Sequence, residues 1–135
     1  MSDQYTLKQV EILGGVLEYI YIPGEKDLPT LVMLHEGLGS ISTWKEFPKQ
    51  ISNTIHNPIL LYSRHGYGSS SFIKQRFCSS YMHDEALKVL PALISRLKLN
   101  RIILYGHSDG ASIAAIFAGS KPTTIIAVSY THLTL

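Results

Sequence analysis

Short runs of apolar residues alternate along the chain with longer segments in which apolar residues recur every three or four positions. The compact runs are typical of strands that are buried on both faces, whereas the spaced pattern is typical of helices that bury one face. The predicted strands are residues 31–34, 59–62, 102–105 and 125–128. The predicted helices cover residues 44–55, 81–97 and 111–118.

The first apolar runs predict a β-hairpin. Residues 10–13 and 16–22 flank Gly14 and Gly15, and a two-residue turn with glycine is typical of such hairpins. Strands that then alternate with helices imply a mostly parallel sheet with helices on both faces. We therefore predict an α/β fold with an N-terminal β-hairpin, formed by a single domain that spans residues 1–135.

Three glycine-rich segments each follow a predicted strand. They are residues 35–40 (HEGLGS), 63–71 (SRHGYGSSS) and 106–110 (GHSDG). In mostly parallel sheets, ligands and reacting groups gather at the carboxyl ends of the strands. We therefore expect these three segments to lie at one edge of the sheet.

The third segment places Ser108 in a tight turn between a strand and a helix, with Gly106 and Gly110 on either side. Glycine at these positions would relieve crowding, and the Ser108 hydroxyl would lie above a helix N-terminus that favours developing negative charge. A nucleophilic serine is one interpretation. The alternative is a glycine-rich turn that caps a helix through Ser108 or Asp109.

Composition and charge narrow the function classes. Hydrophobic residues make up 45% of the chain and charged residues 16%, which is typical of a folded core. The net charge of +2 is scattered, so no nucleic-acid or membrane partner is expected. Cys78 is the single cysteine, which excludes an internal disulfide, and no signal peptide is visible. These observations favour a cytoplasmic protein.

No metal or cofactor is expected. The pairs at positions 35–36 (His-Glu) and 83–84 (His-Asp) lack partners at zinc-ligand spacing. The Gly66-Tyr67-Gly68 segment lacks the third glycine of a dinucleotide-binding loop.

The three glycine-rich segments, in this order, resemble the α/β-hydrolase family of the serine-hydrolase type. The resemblance covers roughly residues 10–128. Within the family, the sequence is similar to the small hydrolases that include esterases, ring-cleavage-product hydrolases and proline iminopeptidases. It implies hydrolysis of an ester, amide or activated carbon–carbon bond in a small molecule, through an acyl-enzyme and without a cofactor.

The resemblance also implies roles for individual residues. Ser108 would be the nucleophile, and the backbone N–H groups of Gly37 and Asp109 would hold the oxyanion. Gly106 and Gly110 would be the glycines of the nucleophile turn. A serine at this position, instead of aspartate, argues against the dehalogenase and epoxide-hydrolase branches.

The sequence departs from the family in several places. Glu36 stands where many members carry glycine, and Ser63 where many carry aspartate. The family places its acid and then its histidine after the nucleophile. In this sequence Asp109 is the only acidic residue after Ser108, and His132 is the only histidine after it. Neither is expected to act as the catalytic acid or base.

We therefore predict the N-terminal half of a hydrolase domain, a truncated α/β-hydrolase core without the acid and base. Residues 129–135 are expected to be an atypical tail. The last strand would be an open edge through which the chain could self-associate. The alternative function is that of a non-catalytic binding or interaction protein, or a truncated product, that retains the fold.

Overall fold

Six strands form one sheet in the computed structural model, which describes residues 5–72 and 79–133. In chain order the strands are β1 (Lys8–Ile12), β2 (Gly15–Ile22), β3 (Thr30–Leu34), β4 (Ile59–Tyr62), β5 (Ile102–Ser108) and β6 (Ile125–Leu133). Their order across the sheet is β1-β2-β4-β3-β5-β6. Strands β1 and β2 pair antiparallel with each other, and β2 pairs antiparallel with β4. The remaining pairs are parallel, which confirms the predicted α/β fold. Cys78 lies outside the described residues.

Helices cover both faces of the sheet, as predicted. They are α1 (Phe47–Thr54), α2 (Tyr81–Asp84), α3 (Leu90–Arg96) and α4 (Asp109–Gly119), with a 3₁₀ turn at Ile41–Trp44 and a π segment at Glu85–Val89. On β3, Val32 and Leu34 pack with α3 and α4, whereas Leu31 and Met33 pack with α1. This alternation follows from the two-residue repeat of a strand.

The hairpin turn is Leu13–Gly14, and not Gly14–Gly15 as predicted. Both turn residues have positive φ, 52° at Leu13 and 82° at Gly14, which is the conformation of a type I′ turn. Gly15 belongs to β2 and pairs with Ile12. A Cβ on Gly15 would stand 2.8 Å from the ring of His65, so this glycine is required for packing.

The start of α1 also differs from the prediction. The spacing of Thr43 and Glu46 predicts a capping box at the start of the helix predicted over residues 44–55. Instead the Thr43 hydroxyl accepts a hydrogen bond from the Ser40 N–H and caps the 3₁₀ turn. Helix α1 begins at Phe47, which places Pro48 in the first turn, where its missing N–H is not needed.

The predicted helix over residues 81–97 is divided by the π segment. Pro91 has no N–H to bond the preceding turn, and the Leu90 N–H reaches back five residues to the carbonyl of Glu85. A π turn takes in an additional residue, so the segments on its two sides do not share one helical repeat. Helical spacing over residues 81–97 predicts that Leu87 lies on the buried face with Leu90 and Ile94, and this prediction is wrong because Leu87 is 47% exposed.

Strand β6 runs through Leu133, five residues beyond the predicted end at residue 128. It pairs with β5 and forms one of the two edges of the sheet among the described residues, the other being β1. Ile126 and Tyr130 on this strand are 50% and 57% exposed. Positions 134 and 135 lie outside the described residues, so the atypical tail stays a prediction.

Candidate active site

Ser108 is the last residue of β5 and the residue that precedes the first turn of α4. Its φ of 55° and ψ of −114° lie in a region that side-chain-bearing residues seldom adopt. Such a conformation costs on the order of 1–3 kcal/mol and persists only where the surrounding structure imposes it. The strand–turn–helix arrangement therefore holds a partly exposed serine in a strained backbone at the carboxyl end of β5.

The two flanking glycines are enclosed by backbone atoms. A Cβ on Gly106 would stand 2.4 Å from the carbonyl oxygen of Gly110. A Cβ on Gly110 would stand 2.0 Å from the carbonyl oxygen of Leu34 at the end of β3. Because backbone atoms cannot move aside as a flexible side chain can, the turn around Ser108 accepts only glycine at both positions.

The three glycine-rich segments meet at one edge of the sheet, because β4, β3 and β5 are adjacent and parallel. Arg64 in the second segment connects them. Its Nη1 donates to the carbonyl of His35 at 2.6 Å, and its Nη2 donates to the carbonyl of Glu36 at 3.1 Å. The same Nη2 lies 3.9 Å from Oδ2 of Asp109, the residue that follows Ser108.

The side chain of Asp109 points from the Ser108 turn toward the first segment. Its Oδ2 accepts a hydrogen bond from the Tyr81 hydroxyl at 2.7 Å. A Cβ on Gly37 would stand 2.8 Å from the same oxygen. The two residues expected to supply oxyanion N–H groups, Gly37 and Asp109, are therefore neighbours, and the Asp109 carboxylate is occupied by Tyr81 and Arg64.

The chain is similar to known proteins both in sequence and in fold. A family model described as alpha/beta hydrolase fold matches residues 29–128. The chain belongs to the α/β-hydrolase family.

Among curated relatives, the proline iminopeptidase of Lactobacillus helveticus is 33% identical over 104 residues, which is 76% of this chain and 35% of that protein. The proline iminopeptidase of Lactobacillus delbrueckii subsp. lactis is 30% identical over 105 residues, 77% of this chain and 36% of that protein. The chain thus spans about a third of the length of the curated relatives it matches.

Solved structures of hydrolases share the fold at lower identity. An epoxide hydrolase of Vigna radiata is 20% identical with a TM-score of 0.81, over 97% of this chain and 40% of that one. A haloalkane dehalogenase of Bradyrhizobium elkani is 22% identical with a TM-score of 0.81, over 96% of this chain and 42% of that one. At these identities the likeness establishes the fold alone.

The departure from the family pattern at Ser63 is accompanied by a buried carboxylate from β2. Ser63 Oγ donates to Oε1 of Glu18 at 2.7 Å and accepts a hydrogen bond from the Ile41 N–H at 2.9 Å. Ser70 Oγ accepts from the Glu18 N–H at 2.9 Å and donates to the Ser63 carbonyl at 2.6 Å. Both Glu18 and Ser63 are buried. Glu18 therefore supplies a carboxylate next to the position where many family members carry aspartate.

Of the histidines near the site, His35 and His107 form hydrogen bonds with different residues. The Arg64 N–H donates to His35 Nε2 at 3.0 Å, so the His35 proton lies on Nδ1, which donates to the Glu36 carbonyl at 2.7 Å. His107 Nδ1 pairs with the hydroxyl of Thr131 on β6. His65 is buried, and this burial lowers its pKa, while neither of its ring nitrogens has a hydrogen-bond partner in the part of the chain that the structure describes. None of these contacts joins an imidazole to Ser108.

A cavity of about 630 Å³ lies beside Glu18, on the face of the sheet that packs with α1, and neither Ser108 nor Asp109 lines it. Apolar side chains such as Ile20 and Leu61 line it together with charged ones that include Lys45 and Glu46. Within residues 5–72 and 79–133, no cluster of three or more His, Cys, Asp or Glu side chains suits a metal ion. Within the same residues, no helix has the length and apolar character needed to cross a membrane.

Two side chains connect the segments of the candidate site, Arg64 and Glu18, and the sequence motifs indicate neither of them. An arginine in the glycine-rich segment 63–71 predicts no more than order within that segment, yet Arg64 contacts both other segments. Glu18 gave a signal, since it is a lone charged residue within the apolar run 16–22. The tertiary partners of both side chains lie 28 or more positions away, beyond the reach of local patterns.

Proposed function

We propose that this chain carries the nucleophile and oxyanion-binding part of a serine hydrolase. The Ser108 oxygen bonds to the carbonyl carbon of an ester, amide or activated carbon–carbon bond, the bond from that carbon to the leaving group breaks, the hydroxyl proton passes to the leaving group, and an acyl-enzyme remains. The backbone N–H groups of Gly37 and Asp109 hold the oxyanion. The observation that carries the proposal is the backbone of Ser108, held at φ 55° between β5 and α4 by two glycines that no other residue can replace.

Electrostatics supports the same role. Ser108 directly precedes α4, and the N–H groups that open a helix have no carbonyl of their own helix to bond. The helix dipole also favours negative charge at this end. An oxyanion donor is worth about 2.7–4 kcal/mol of transition-state stabilisation. Backbone donors suit this role because they are fixed before the reaction begins.

The matched relatives suggest which class of substrate to test first. Since the matched curated proteins are proline iminopeptidases, we propose small peptides with N-terminal proline as the first substrate class to examine. Esters of small acyl groups come next, because the same acyl-enzyme mechanism hydrolyses them. A serine nucleophile distinguishes this chain from hydrolases of the same fold that use a carboxylate.

The test measures acylation of the 135-residue chain by p-nitrophenyl acetate and its activity on proline p-nitroanilide. We expect slow release of about one equivalent of nitrophenolate and little sustained turnover, because no acid–base pair is assigned to Ser108. Ser108→Ala should abolish the release, whereas Ser120→Ala, which changes an exposed serine at the end of α4, should retain it. Release that persists in Ser108→Ala would contradict the proposal. Rapid turnover that depends on Ser108 would instead assign a base within this chain, with His132 as the candidate.

The second candidate function is that of an interaction protein, and the edge strand β6 favours it. Ile126 and Tyr130 are exposed along a strand that, among the described residues, pairs only with β5. An edge of this kind can pair with a strand of another chain. Self-association through this edge would raise the mass measured by light scattering as concentration increases. Ile126→Lys should then restore the monomer, and a wild-type monomer at every concentration would exclude this candidate.

A further inference from the structure

Arg64 is a buried cation that joins the two residues proposed to supply the oxyanion N–H groups. Its side chain is 1% exposed, and its guanidinium donates to the consecutive carbonyls of His35 and Glu36. These carbonyls belong to the peptide units immediately before Gly37. The guanidinium therefore fixes the backbone that leads into one proposed oxyanion donor.

Because the peptide bond is planar, this contact also fixes the direction in which the Gly37 N–H points. The Glu36 carbonyl and the Gly37 N–H belong to one planar trans peptide, in which the two groups point in opposite directions. Three donors hold the Glu36 oxygen: Arg64 Nη2 at 3.1 Å, His35 Nδ1 at 2.7 Å and the Gly39 N–H at 3.1 Å. Because the carbonyl is held on one side, the Gly37 N–H must face the other.

The same contacts strengthen Gly37 as a donor. Hydrogen bonds to a carbonyl polarise its peptide unit, and this makes the N–H of that unit more acidic. One of the three donors, Arg64, carries a full positive charge, which increases the effect. We propose that Arg64 is a positioning residue that orients and polarises the Glu36–Gly37 peptide for the oxyanion. This inference rests on the proposed function of Ser108.

The surroundings of Arg64 explain how the charge can remain buried. Asp109 Oδ2 lies 3.9 Å from Nη2, and the guanidinium lies 5.5 Å from the ring centroid of Tyr67. The Tyr81 hydroxyl holds the Asp109 carboxylate in place at 2.7 Å. The N–H of Asp109 is also the second proposed oxyanion donor. The ion pair between Arg64 and Asp109 therefore connects the Glu36–Gly37 peptide, which Arg64 holds, with the residue that would supply the other donor.

A lysine cannot reproduce this arrangement. The planar guanidinium fork donates from two nitrogens to two adjacent carbonyls, whereas an ammonium is a single point of charge. Arg64→Lys should therefore retain the charge and lose the orientation. Arg64→Ala removes both and leaves a space that guanidinium ion can occupy. Arg101→Ala is the matched control, because Arg101 is exposed and lies before β5 at the opposite end of the sheet.

The experiment measures the rate of Ser108 modification by a fluorophosphonate together with the amide chemical shift of Gly37 by NMR. We expect the limiting rate to fall about tenfold or more in Arg64→Ala and Arg64→Lys, with the half-saturating reagent concentration unchanged. Guanidinium at non-denaturing concentration should restore the rate and the Gly37 shift in Arg64→Ala. Arg101→Ala should match the wild type in both.

The outcomes separate this inference from the proposed function. Wild-type rates and an unmoved Gly37 amide in both Arg64 variants would overturn the role of Arg64 while leaving Ser108 as the nucleophile. If the wild type does not react at Ser108, the proposed nucleophile is wrong, and the Gly37 amide then decides the orientation alone. An Arg64→Ala variant that is unfolded by circular dichroism is replaced by Arg64→Lys as the deciding variant.

Discussion

Gly110 at the start of α4 packs directly on the carbonyl oxygen of Leu34 at the end of β3, so that a Cβ on Gly110 would stand 2.0 Å from that oxygen. This contact seats the Ser108 turn on the strand that leads into the residue 35–40 segment. The backbone of the nucleophile and the backbone of the proposed oxyanion loop are therefore packed as one unit, without a side chain between them.

Gly110→Ala should destabilise the fold by about 1–3 kcal/mol, because the added methyl forces two backbones apart. Gly119→Ala in the same helix is the control, since a Cβ there meets nothing within 4 Å. That control should be neutral or slightly stabilising, as alanine has the higher helix propensity. Urea denaturation measures both changes. Equal stability of the two variants would show that the Gly110 contact is not tight.

Ser63→Asp should be destabilising although many family members carry aspartate there. The new carboxylate would lie beside the buried carboxylate of Glu18, whose Oε1 is 2.7 Å from Ser63 Oγ. We expect a loss of about 2–4 kcal/mol at neutral pH, because two buried like charges cannot both remain ionised without cost.

The double variant Glu18→Gln with Ser63→Asp should recover most of that loss. The side-chain amide introduced at position 18 can donate to the new carboxylate, and the Ile41 N–H keeps an acceptor. A double-mutant cycle from denaturation midpoints gives the coupling free energy between the two positions. If the changes in unfolding free energy of Glu18→Gln and Ser63→Asp simply add in the double variant, Glu18 does not take the place of the aspartate that many family members carry at position 63.

His65 makes stability depend on pH. Burial lowers its pKa, so the folded state binds the proton less readily than the unfolded state, in which the pKa is about 6.5. Its contribution is fully present above about pH 6.5 and is lost as the pH falls toward the lowered folded pKa. We expect the free energy of unfolding to decrease over that interval.

His65→Gln should remove this part of the pH dependence, since glutamine does not titrate. His83→Gln, which changes an exposed residue on α2, is the control for the loss of a histidine and should keep the wild-type slope. Urea denaturation at a series of pH values gives both profiles. A His65→Gln profile as steep as the wild type would assign the slope to other groups.

The fold followed from the sequence because its strands are short apolar runs with clear ends. Strand β4 lies at its predicted residues, and the helices lie on both faces. Local patterns failed where tertiary packing decided the outcome. Leu13 adopts positive φ without a sequence signal, and the π segment before Pro91 turned Leu87 outward. The extension of β6 to residue 133 depends on pairing with β5, which no local pattern encodes.

The candidate site was predictable where backbone geometry dictates the residue type. Gly106, Ser108 and Gly110 form a recognisable spacing because steric crowding leaves little choice. The roles of Arg64 and Glu18 were not predictable, since each acts through partners on other segments. The sequence identifies these residues only as an arginine in a glycine-rich segment and a lone acid in a strand.

The central claim is that Ser108 is the nucleophile, and mapping of the adduct formed by a fluorophosphonate tests it most directly. Peptide mass spectrometry of the wild-type chain should locate a single phosphonyl group on Ser108, with none on Ser112 or Ser120. The Ser108→Ala variant should remain unmodified under the same exposure. An adduct on another serine, or equal modification of wild type and Ser108→Ala, would contradict the account.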